Sequence, residues 1–310
     1  MYIRKYIVPM SNKNLNTAKK EKNDEFYTLY EDIEKEVINY TNHLKGKIIY
    51  CNCDNPQFSN FYKYFKDNFT ILNIKHLYCS GYNKYGNGYY GEYNGTTEII
   101  KPLQDNGDFR SQECIDILKK ADIVITNPPF SLFREYVKQL MNFNKKFLII
   151  GNQNAITYKE IFPLIKNNEL WLGLSMNGSN RWFQAPDNYV VKENVTGYKV
   201  ENGKKHFLVN GVIWWTNINH TKTNKHLILT KKYNPEEYPQ YDNYDAIEVS
   251  KVADIPIDYN GVMGVPITFL YKYCSTQFEI IKFRKGNNGK DLSINGKCPY
   301  FRILIKKKYL

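Results

Sequence analysis

Apolar positions along the chain switch repeatedly between two spacings, and the switches mark out its elements. Ile33, Val37, Tyr40 and Leu44 recur at helical spacing, after which Lys47, Ile48, Ile49 and Tyr50 read as a strand. Phe58, Phe61, Tyr62 and Phe65 predict the apolar face of a following helix, with the next strand at residues 74–79. Residues 80–95 are a cluster of Gly, Tyr and Asn, which predicts a loop and an irregular hairpin inserted into the connections of a sheet. Gly86, Asn87 and Gly88 make no dinucleotide-binding turn, because they neither follow a strand directly nor open a helix. Ile115, Leu118 and Lys119 predict a helix leading into a strand at residues 122–126. Leu132, Phe133, Tyr136, Val137 and Leu140 then predict an amphipathic helix, followed by a strand at Phe147, Leu148, Ile149 and Ile150. Residues 170–174 and 212–216 read as two later strands that could finish the sheet, with a polar, Gly-bearing hairpin region between them. This alternation predicts an α/β fold, a doubly wound and mostly parallel sheet.

The two ends of the chain break the pattern. Residues 1–23 are rich in Lys and Asn with few apolar residues after Met10, so a flexible basic arm is expected there. The main domain is expected over residues 24–230. Lys231, Lys232, Tyr233, Asn234 and Pro235 resemble a linker or surface loop, and residues 231–310 form a smaller C-terminal unit.

Charge gives that unit a meaning. The 310 residues carry 43 Lys and Arg against 31 Asp and Glu, a formal +12 that points to a polyanionic partner. Residues 251–310 hold 11 Lys or Arg against 4 Asp or Glu, so over half of the excess lies in the last fifth of the chain. The six cysteines follow no disulfide framework, and no secretory segment is evident, which leads to the expectation of a reduced, cytoplasmic protein. Cys51 and Cys53 lack a second pair or a nearby His at zinc spacing, so no metal is expected. No apolar stretch is long enough to span a bilayer. The abundance of Tyr, Asn, Lys and Ile hints at biased codon usage, which leaves single tyrosines uninformative.

The most informative residues are Asn127, Pro128, Pro129 and Phe130, directly after the run Asp122, Ile123, Val124, Ile125, Thr126. A β-branched run ending at a double proline reads as a buried strand breaking into a rigid turn at its carboxyl end, where open α/β sheets bind ligands. The chemistry suits methylation of an exocyclic amino group on a planar ring. An Asn oxygen and the Pro128 carbonyl can each accept one N–H of such a group, drawing a poorly nucleophilic nitrogen towards a tetrahedral form. Proline adds no competing donor. Phe130 offers a face for an extruded ring. The plain alternative is that two prolines merely end a strand.

A methyl donor beside Asn127 needs a pocket from other strand ends, and three segments are candidates. One is Asp24, Glu25, Phe26, Tyr27 and Thr28, before the first helix. A second is the loop Cys51, Asn52, Cys53, Asp54, Asn55, Pro56. The third is Gly107, Asp108 and Phe109, expected to follow the third strand. Asp54 could order the donor's amino-acid end and Asp108 could accept from its adenine amino group, although a solvated or helix-capping role is as good for either acid alone. Trp214 and Trp215 are candidate second stacking partners, of which an alternating strand turns only one inward. Arg181 and Trp182, with Phe183, could contact nucleic acid. In the basic C-terminal unit the candidate DNA contacts are Lys282, Arg284, Lys285, Lys290, Lys297 and Arg302, each with a solvated basic face as its alternative.

These residues carry a resemblance. From about Asp24 onward the chain is similar to the adenine-specific DNA methyltransferases of the EcoRI restriction-modification type, at residues 24–28, 50–54, 107–111, 126–133, 147–152, 259–270 and 291–305. The Asn-Pro-Pro-Phe motif is shared with other methyltransferases, whereas the last two stretches are more particular to this family. The resemblance implies a Rossmann-like methyltransferase fold, with S-adenosyl-L-methionine as donor to a flipped-out adenine N6 in double-stranded DNA. By it Asn127, Pro128 and Phe130 take the catalytic motif, with Pro129 the fourth residue of the same candidate tetrapeptide, and Asp108 takes the acidic donor-pocket position. The donor site is expected at Phe26, Tyr27, Thr28, Cys51, Asn52, Asp54, Asp108, Phe109 and Asn127. It further implies GAATTC as the site. The concentration of positive charge, and the alternation of basic residues with turn formers around residues 289–302, lead to the expectation that residues 231–310 are the target-recognition region; a monomer is expected, with a cognate restriction endonuclease in no stable complex with it. The glycine-rich loop usual after the first strand of methyltransferases is replaced here by the glycine-free residues 51–56. Two other readings stand beside this one: a ribosomal RNA or protein-glutamine methyltransferase using the same turn, and a nucleic-acid-binding protein on a decayed enzyme scaffold.

Overall fold

The computed structural model describes residues 27–185, 197–220, 225–284, 292–298 and 301–308. The expected arm at residues 1–23, together with Phe26, Lys285 and Lys290, lies outside the described residues. The chain divides into two compact units, Met1–Asn154 with Gly173–Ile218, and Ala155–Leu172 with Asn219–Leu310.

The first unit is α/β, built on a large mixed sheet. Its helices are α1 (Tyr30–Val37), α2 (Asn60–Asp67), α3 (Gln112–Lys120) and α4 (Phe133–Asn142). Its strands include β1 (Ile48–Asn52), β2 (His76–Gly81), β3 (Tyr89–Tyr93), β4 (Glu98–Pro102), β5 (Ile123–Thr126) and β6 (Lys146–Asn152). Four adjacent strands, β2-β1-β5-β6, run parallel. β5 is buried at every position, as expected of a strand covered on both faces. The helices dock by narrow apolar stripes: α2 buries Phe61, Tyr62, Tyr64 and Phe65, and α4 buries Phe133, Tyr136, Val137 and Leu140. Phe58, expected on the α2 stripe, is instead 65% exposed, because Ser59 caps the helix and leaves Phe58 in the loop before it.

Residues 80–95 do more than make an irregular loop. β3 pairs antiparallel with β2, and β4 with β3, in unbroken register, so the Tyr-rich segment extends the sheet on one side. Aromatic residues suit a pleated surface, which outweighs the turn signal of the interspersed glycines. On the other side Val212–Thr216 pairs antiparallel with β6 as expected of a strand that completes a sheet. The second late strand shrinks to β7 (Trp171–Leu172), with Gly173 N–H donating to the Trp214 carbonyl at 2.8 Å. Between them in sequence lie β8 (Arg181–Gln184), β9 (Tyr198–Glu201) and β10 (Lys204–Val209), a separate three-stranded sheet ordered β8-β10-β9; Val212–Thr216 is β11.

Glu36 on α1 is fully buried and accepts from Leu174 N–H at 2.8 Å, Ser175 N–H at 2.6 Å and the Tyr40 hydroxyl at 2.9 Å. Burial first, and Glu36 second, push the Tyr40 phenol far above its usual range. The second unit contains α5 (Phe162–Lys166) and a five-stranded sheet ordered β12-β13-β14-β16-β15. Its strands are β12 (Gln240–Tyr241), β13 (Tyr244–Glu248), β14 (Met263–Pro266), β15 (Phe278–Arg284) and β16 (Arg302–Lys307). Among the described residues no helix is long and apolar enough to cross a membrane.

Candidate active site

β2 flanks β1 on one side and β5 flanks it on the other, so the winding of the parallel strands reverses between β1 and β5. A pocket opens there, in the first unit. It is lined by Tyr27, Thr28, Cys53, Asp54, Asn55, Asn60, Phe61, Tyr82, Asn127 and Pro129. Four segments far apart in sequence therefore meet: the one before α1, the turn after β1 with the start of α2, Tyr82 after β2, and the turn after β5.

The turn after β1 is held by a polar hub. Asp54 is buried, and its carboxylate accepts from the Ser59 hydroxyl at 2.7 Å and the Thr126 hydroxyl at 2.5 Å. The Thr126 hydroxyl is also against the Asn52 carbonyl. Ser59 in turn accepts from the Phe61 and Tyr62 N–H groups at 3.0 and 3.2 Å, capping α2. The Asn52 side chain accepts from Cys53 N–H at 2.8 Å and from the Ser80 hydroxyl at 3.1 Å. One acid thus ties the end of β5 to the start of α2 beneath the pocket.

The missing glycines of this turn are replaced from elsewhere. Cys53 takes the left-handed conformation itself, at φ +64°. Room for the turn comes from the neighbouring strands, since a Cβ on Gly81 would sit 2.8 Å from the Asn55 Cα, and one on Gly91 would sit 2.6 Å from the Pro56 Cβ.

The segment before α1 is pinned on two sides. Tyr27 and Gln184 exchange backbone hydrogen bonds of 2.8 and 3.0 Å, and the Asn60 amide donates to the Thr28 carbonyl at 2.8 Å. Thr28 is 2% exposed, and its hydroxyl oxygen has no hydrogen-bond partner among the described residues. The Asn52 amide nitrogen is likewise buried without one. Such atoms are costly unless a ligand or solvent satisfies them. With aromatic walls from Tyr27, Phe61 and Tyr82, and with Asp54, Asn55 and Asn60 as polar groups, the pocket fits an amphiphilic ligand bearing a ring and a charged end.

After β5, Asn127 and Pro129 line the pocket, Pro128 is buried, and Phe130 opens a short 3-10 turn before α4. Phe130 is half-buried against the core cluster that includes Phe61 and Trp214. Burial pushes the nearby thiols of Cys51 and Cys79 well above their usual range. For Cys51 the charge of Asp54 adds to this, and for Cys79 the neighbouring Cys51 and Asp54 do.

Other sequence candidates fall elsewhere. Cys51 and Asn52 lie within β1, buried behind the pocket rather than among its lining residues. Asp108 does not line the pocket either. It follows the antiparallel strand β4, and its carboxylate accepts from Arg110 Nε at 2.8 Å and Nη2 at 2.6 Å. Phe109 is buried edge-on to Tyr136. Trp214 is not available to a base: both it and Trp215 are fully buried, because β11 is covered on both faces. Phe61 meets Trp214 at 5.9 Å, and Phe133 meets Trp215 at 5.6 Å.

Arg181 is tied inward, with Nη2 donating to the Ser175 carbonyl at 3.2 Å and Nη1 3.7 Å from Asp32; burial pushes the Asp32 carboxyl up, and Arg181 opposes that shift. Trp182 is half-buried beneath Lys199, whose Nζ is 4.9 Å from the ring centre.

In the second unit Lys282 and Lys297 are exposed, and the Arg284 guanidinium lies 5.5 Å over the Tyr244 ring. Arg302 is a structural residue: only 9% exposed, it donates from Nε and Nη2 to Glu248 at 2.9 and 2.5 Å. Its position on β16 turns it into the sheet, and Tyr241 completes the cluster by donating to Glu248. Among the described residues no group of three His, Cys, Asp or Glu side chains could hold a metal ion.

Sequence reasoning missed Asn60 and Tyr82 in the pocket and Ser59 and Thr126 beneath it. Ser59 was readable as a cap before an apolar helical stripe. The other three carry no local signal, since their roles depend on which strands become neighbours.

Comparison with known proteins gives the site its context. The model of the family described as adenine-specific methyltransferase EcoRI matches residues 14–308. The Type II methyltransferase M.EcoRI of Escherichia coli is 53% identical over 321 residues, covering 97% of this chain and 98% of that protein. The Type II methyltransferase M.MgeORF184P of Mycoplasma genitalium is 38% identical, covering 96% of this chain and 99% of that one. M.MpnI of Mycoplasma pneumoniae, another Type II methyltransferase, is also 38% identical, with 94% and 98% covered. No solved structure gives a significant match. With the family model and these relatives spanning nearly its whole length, the chain belongs to the adenine-specific EcoRI methyltransferase family.

Proposed function

We propose that this adenine-specific DNA methyltransferase works as a doubly wound, Rossmann-like enzyme, with donor binding and catalysis in the first unit and target recognition in the C-terminal residues 231–310. The observation that carries this reading is the placement of Asn127 and Pro129 in a pocket where the parallel strands reverse their winding, since open α/β sheets bind ligands at such a point. Tyr27, Thr28, Asp54, Asn55, Asn60 and Phe61 would hold S-adenosyl-L-methionine. When bound, this group supplies an electrophilic methyl carbon.

The chain's own part is to make a weak nucleophile stronger. Asn127 Oδ1 and the Pro128 carbonyl accept the two N6 hydrogens of a flipped-out adenine, which localises the nitrogen lone pair and aims it into the pocket. Phe130 stacks on the extruded ring and offsets part of the cost of unstacking it. No thiol takes part in this chemistry, in keeping with the suppressed ionisation of Cys51 and Cys79. Lys282, Arg284 and Lys297 are the DNA contacts offered by described residues of the second unit. The site is GAATTC, and the enzyme is the protective member of a restriction-modification system.

Transfer of labelled methyl groups to defined duplexes tests this. Incorporation at adenine in a GAATTC duplex, with none into ribosomal RNA or protein, is expected. Labelling of RNA or protein at a comparable rate would overturn the substrate, and labelling of other duplexes alone would overturn the site.

A further inference from the structure

One acidic side chain in the second unit is spent on holding a loop. Residues 292–298 form a miniature hairpin in which Ile294 and Lys297 exchange backbone hydrogen bonds of 2.9 and 3.0 Å across Asn295 and Gly296. Both tip residues have positive φ, +49° and +73°, the conformation of a tight two-residue turn that Asn-Gly favours. Asp242, between β12 and β13, grips this tip. Its carboxylate accepts from Gly296 N–H at 2.9 Å, Asn295 N–H at 3.2 Å and the Ser293 hydroxyl at 3.0 Å. Asp242 N–H donates to the Ser293 carbonyl at 2.8 Å, and Asn243 accepts from Ser293 N–H at 3.1 Å. On the opposite side Leu292, 3% exposed, anchors the loop in a small core with Tyr241, Ala246 and Leu304.

The charge pattern gives the grip a purpose. A bare carboxylate would repel a polyanion, but this one, though exposed, is engaged by two backbone N–H groups and a hydroxyl of the turn. The N–H of Gly296 first, with Ser293 and Asn295, holds it below the usual carboxylate range against the opposing effect of desolvation. Exposed at the tip are Asn295, Gly296 and Lys297, an amide and a cation on a stiff turn. Side chains that read base edges must be held to within a fraction of an ångström, which free loops do not achieve.

We infer that Asp242 is a positioning residue for site selection, holding the Asn295–Gly296 turn and Lys297 against the DNA. This rests on the reading of residues 231–310 as the recognition region. The test uses the full chain with S-adenosyl-L-methionine, on a GAATTC duplex and on duplexes with one base pair changed. It compares Asp242→Ala, Asp242→Asn and Lys297→Ala. For Asp242→Ala the KM for the cognate duplex should rise roughly fivefold or more and the preference over changed duplexes should shrink, while kcat at saturating DNA stays near wild type. Asp242→Asn should recover most of the preference, because its amide oxygen still accepts from the turn.

A weakened Lys297→Ala beside an unchanged Asp242→Ala would overturn the positioning role alone. If neither variant changes KM or preference, the recognition role of this loop falls and the inference with it. A loss in Asp242→Ala that is equal on all duplexes and tracks a lowered melting temperature would also overturn it, as the mark of a purely structural residue.

Discussion

The turn after β1 and the turn after β5 face the same pocket, yet they are stiffened by different means. The first is held by side chains: Asp54, Ser59 and Thr126 converge on it, and Gly81 and Gly91 on neighbouring strands clear the space it fills. The second is held by covalent geometry, since two prolines fix two backbone angles without any partner. A turn stiffened by hydrogen bonds uses up its polar groups in stiffening itself. Prolines stiffen a turn without drawing on the polar groups beside them, which on the proposed reading are the Pro128 carbonyl and the Asn127 side chain that meet the substrate. That division suits the proposed roles, in which the acceptor-rich turn serves the reacting atom and the hydrogen-bonded one serves the donor.

Mutations should separate the two turns, and the largest effect is expected at the proline turn. Asn127→Ala should lower turnover by about 10²–10³-fold, the scale of losing one transition-state hydrogen bond. Its melting temperature and DNA affinity should match wild type, and an unchanged rate would refute the role. The next effect belongs to the hub. Asp54→Ala removes the acceptor of the Ser59 hydroxyl and leaves the Thr126 hydroxyl only the Asn52 carbonyl, and should cost about 1–3 kcal/mol of stability in denaturant titration, with a raised KM for the methyl donor. Asp54→Asn should lose less. A wild-type denaturation midpoint for Asp54→Ala would show that the hub carries no load.

Smaller still is Phe130→Ala, expected to lose roughly tenfold in catalytic efficiency, since base-on-aromatic stacking is worth about 1–3 kcal/mol. Phe130→Trp should lose less, and 2-aminopurine at the target position should brighten on binding; its failure to do so would remove base flipping.

A last effect, on stability alone, is one of pH. Cys51 and Cys79 stay neutral in the folded chain well beyond the range in which an unfolded thiol ionises, near pH 8.5. Their folded values are raised, so the stability they contribute is complete below that pH. It is lost as pH rises above it, by about 1.4 kcal/mol per pH unit for each thiol. Denaturation midpoints from pH 7 to 10 should fall accordingly, and alkylation at pH 8 should reach the exposed Cys298 before either buried thiol.

The same contrast explains what the sequence showed. Asn127, Pro128 and Pro129 were legible because proline acts through its own covalent bonds, and the strand before them was legible from its unbroken apolar run. The turn after β1 was legible only as a candidate, because what holds it depends on Thr126, Ser59 and Gly81 becoming neighbours. Arg302 and Trp214 misled for a related reason. Their residue types suit DNA, but Glu248 on a distant strand claims the first, and helices on both faces of β11 enclose the second. The added strands β3 and β4 were obscured by the glycines before and within them, and the purpose of two, Gly81 and Gly91, making room for residues 55 and 56, is invisible along the chain.

The backbone pairing of Tyr27 with Gln184 bears on when the enzyme can first act. One wall of the pocket is in place early in the chain, yet its hydrogen-bonding partner belongs to β8, far later in the sequence. Chains are made from the N-terminus, and domains settle as their parts emerge. A growing chain therefore passes through an interval in which the Asn-Pro-Pro-Phe turn exists but the pocket wall has only the Asn60 anchor and lacks its backbone pairing. Methylating activity should switch on late in synthesis, after β8 has left the ribosome, rather than when the catalytic motif appears.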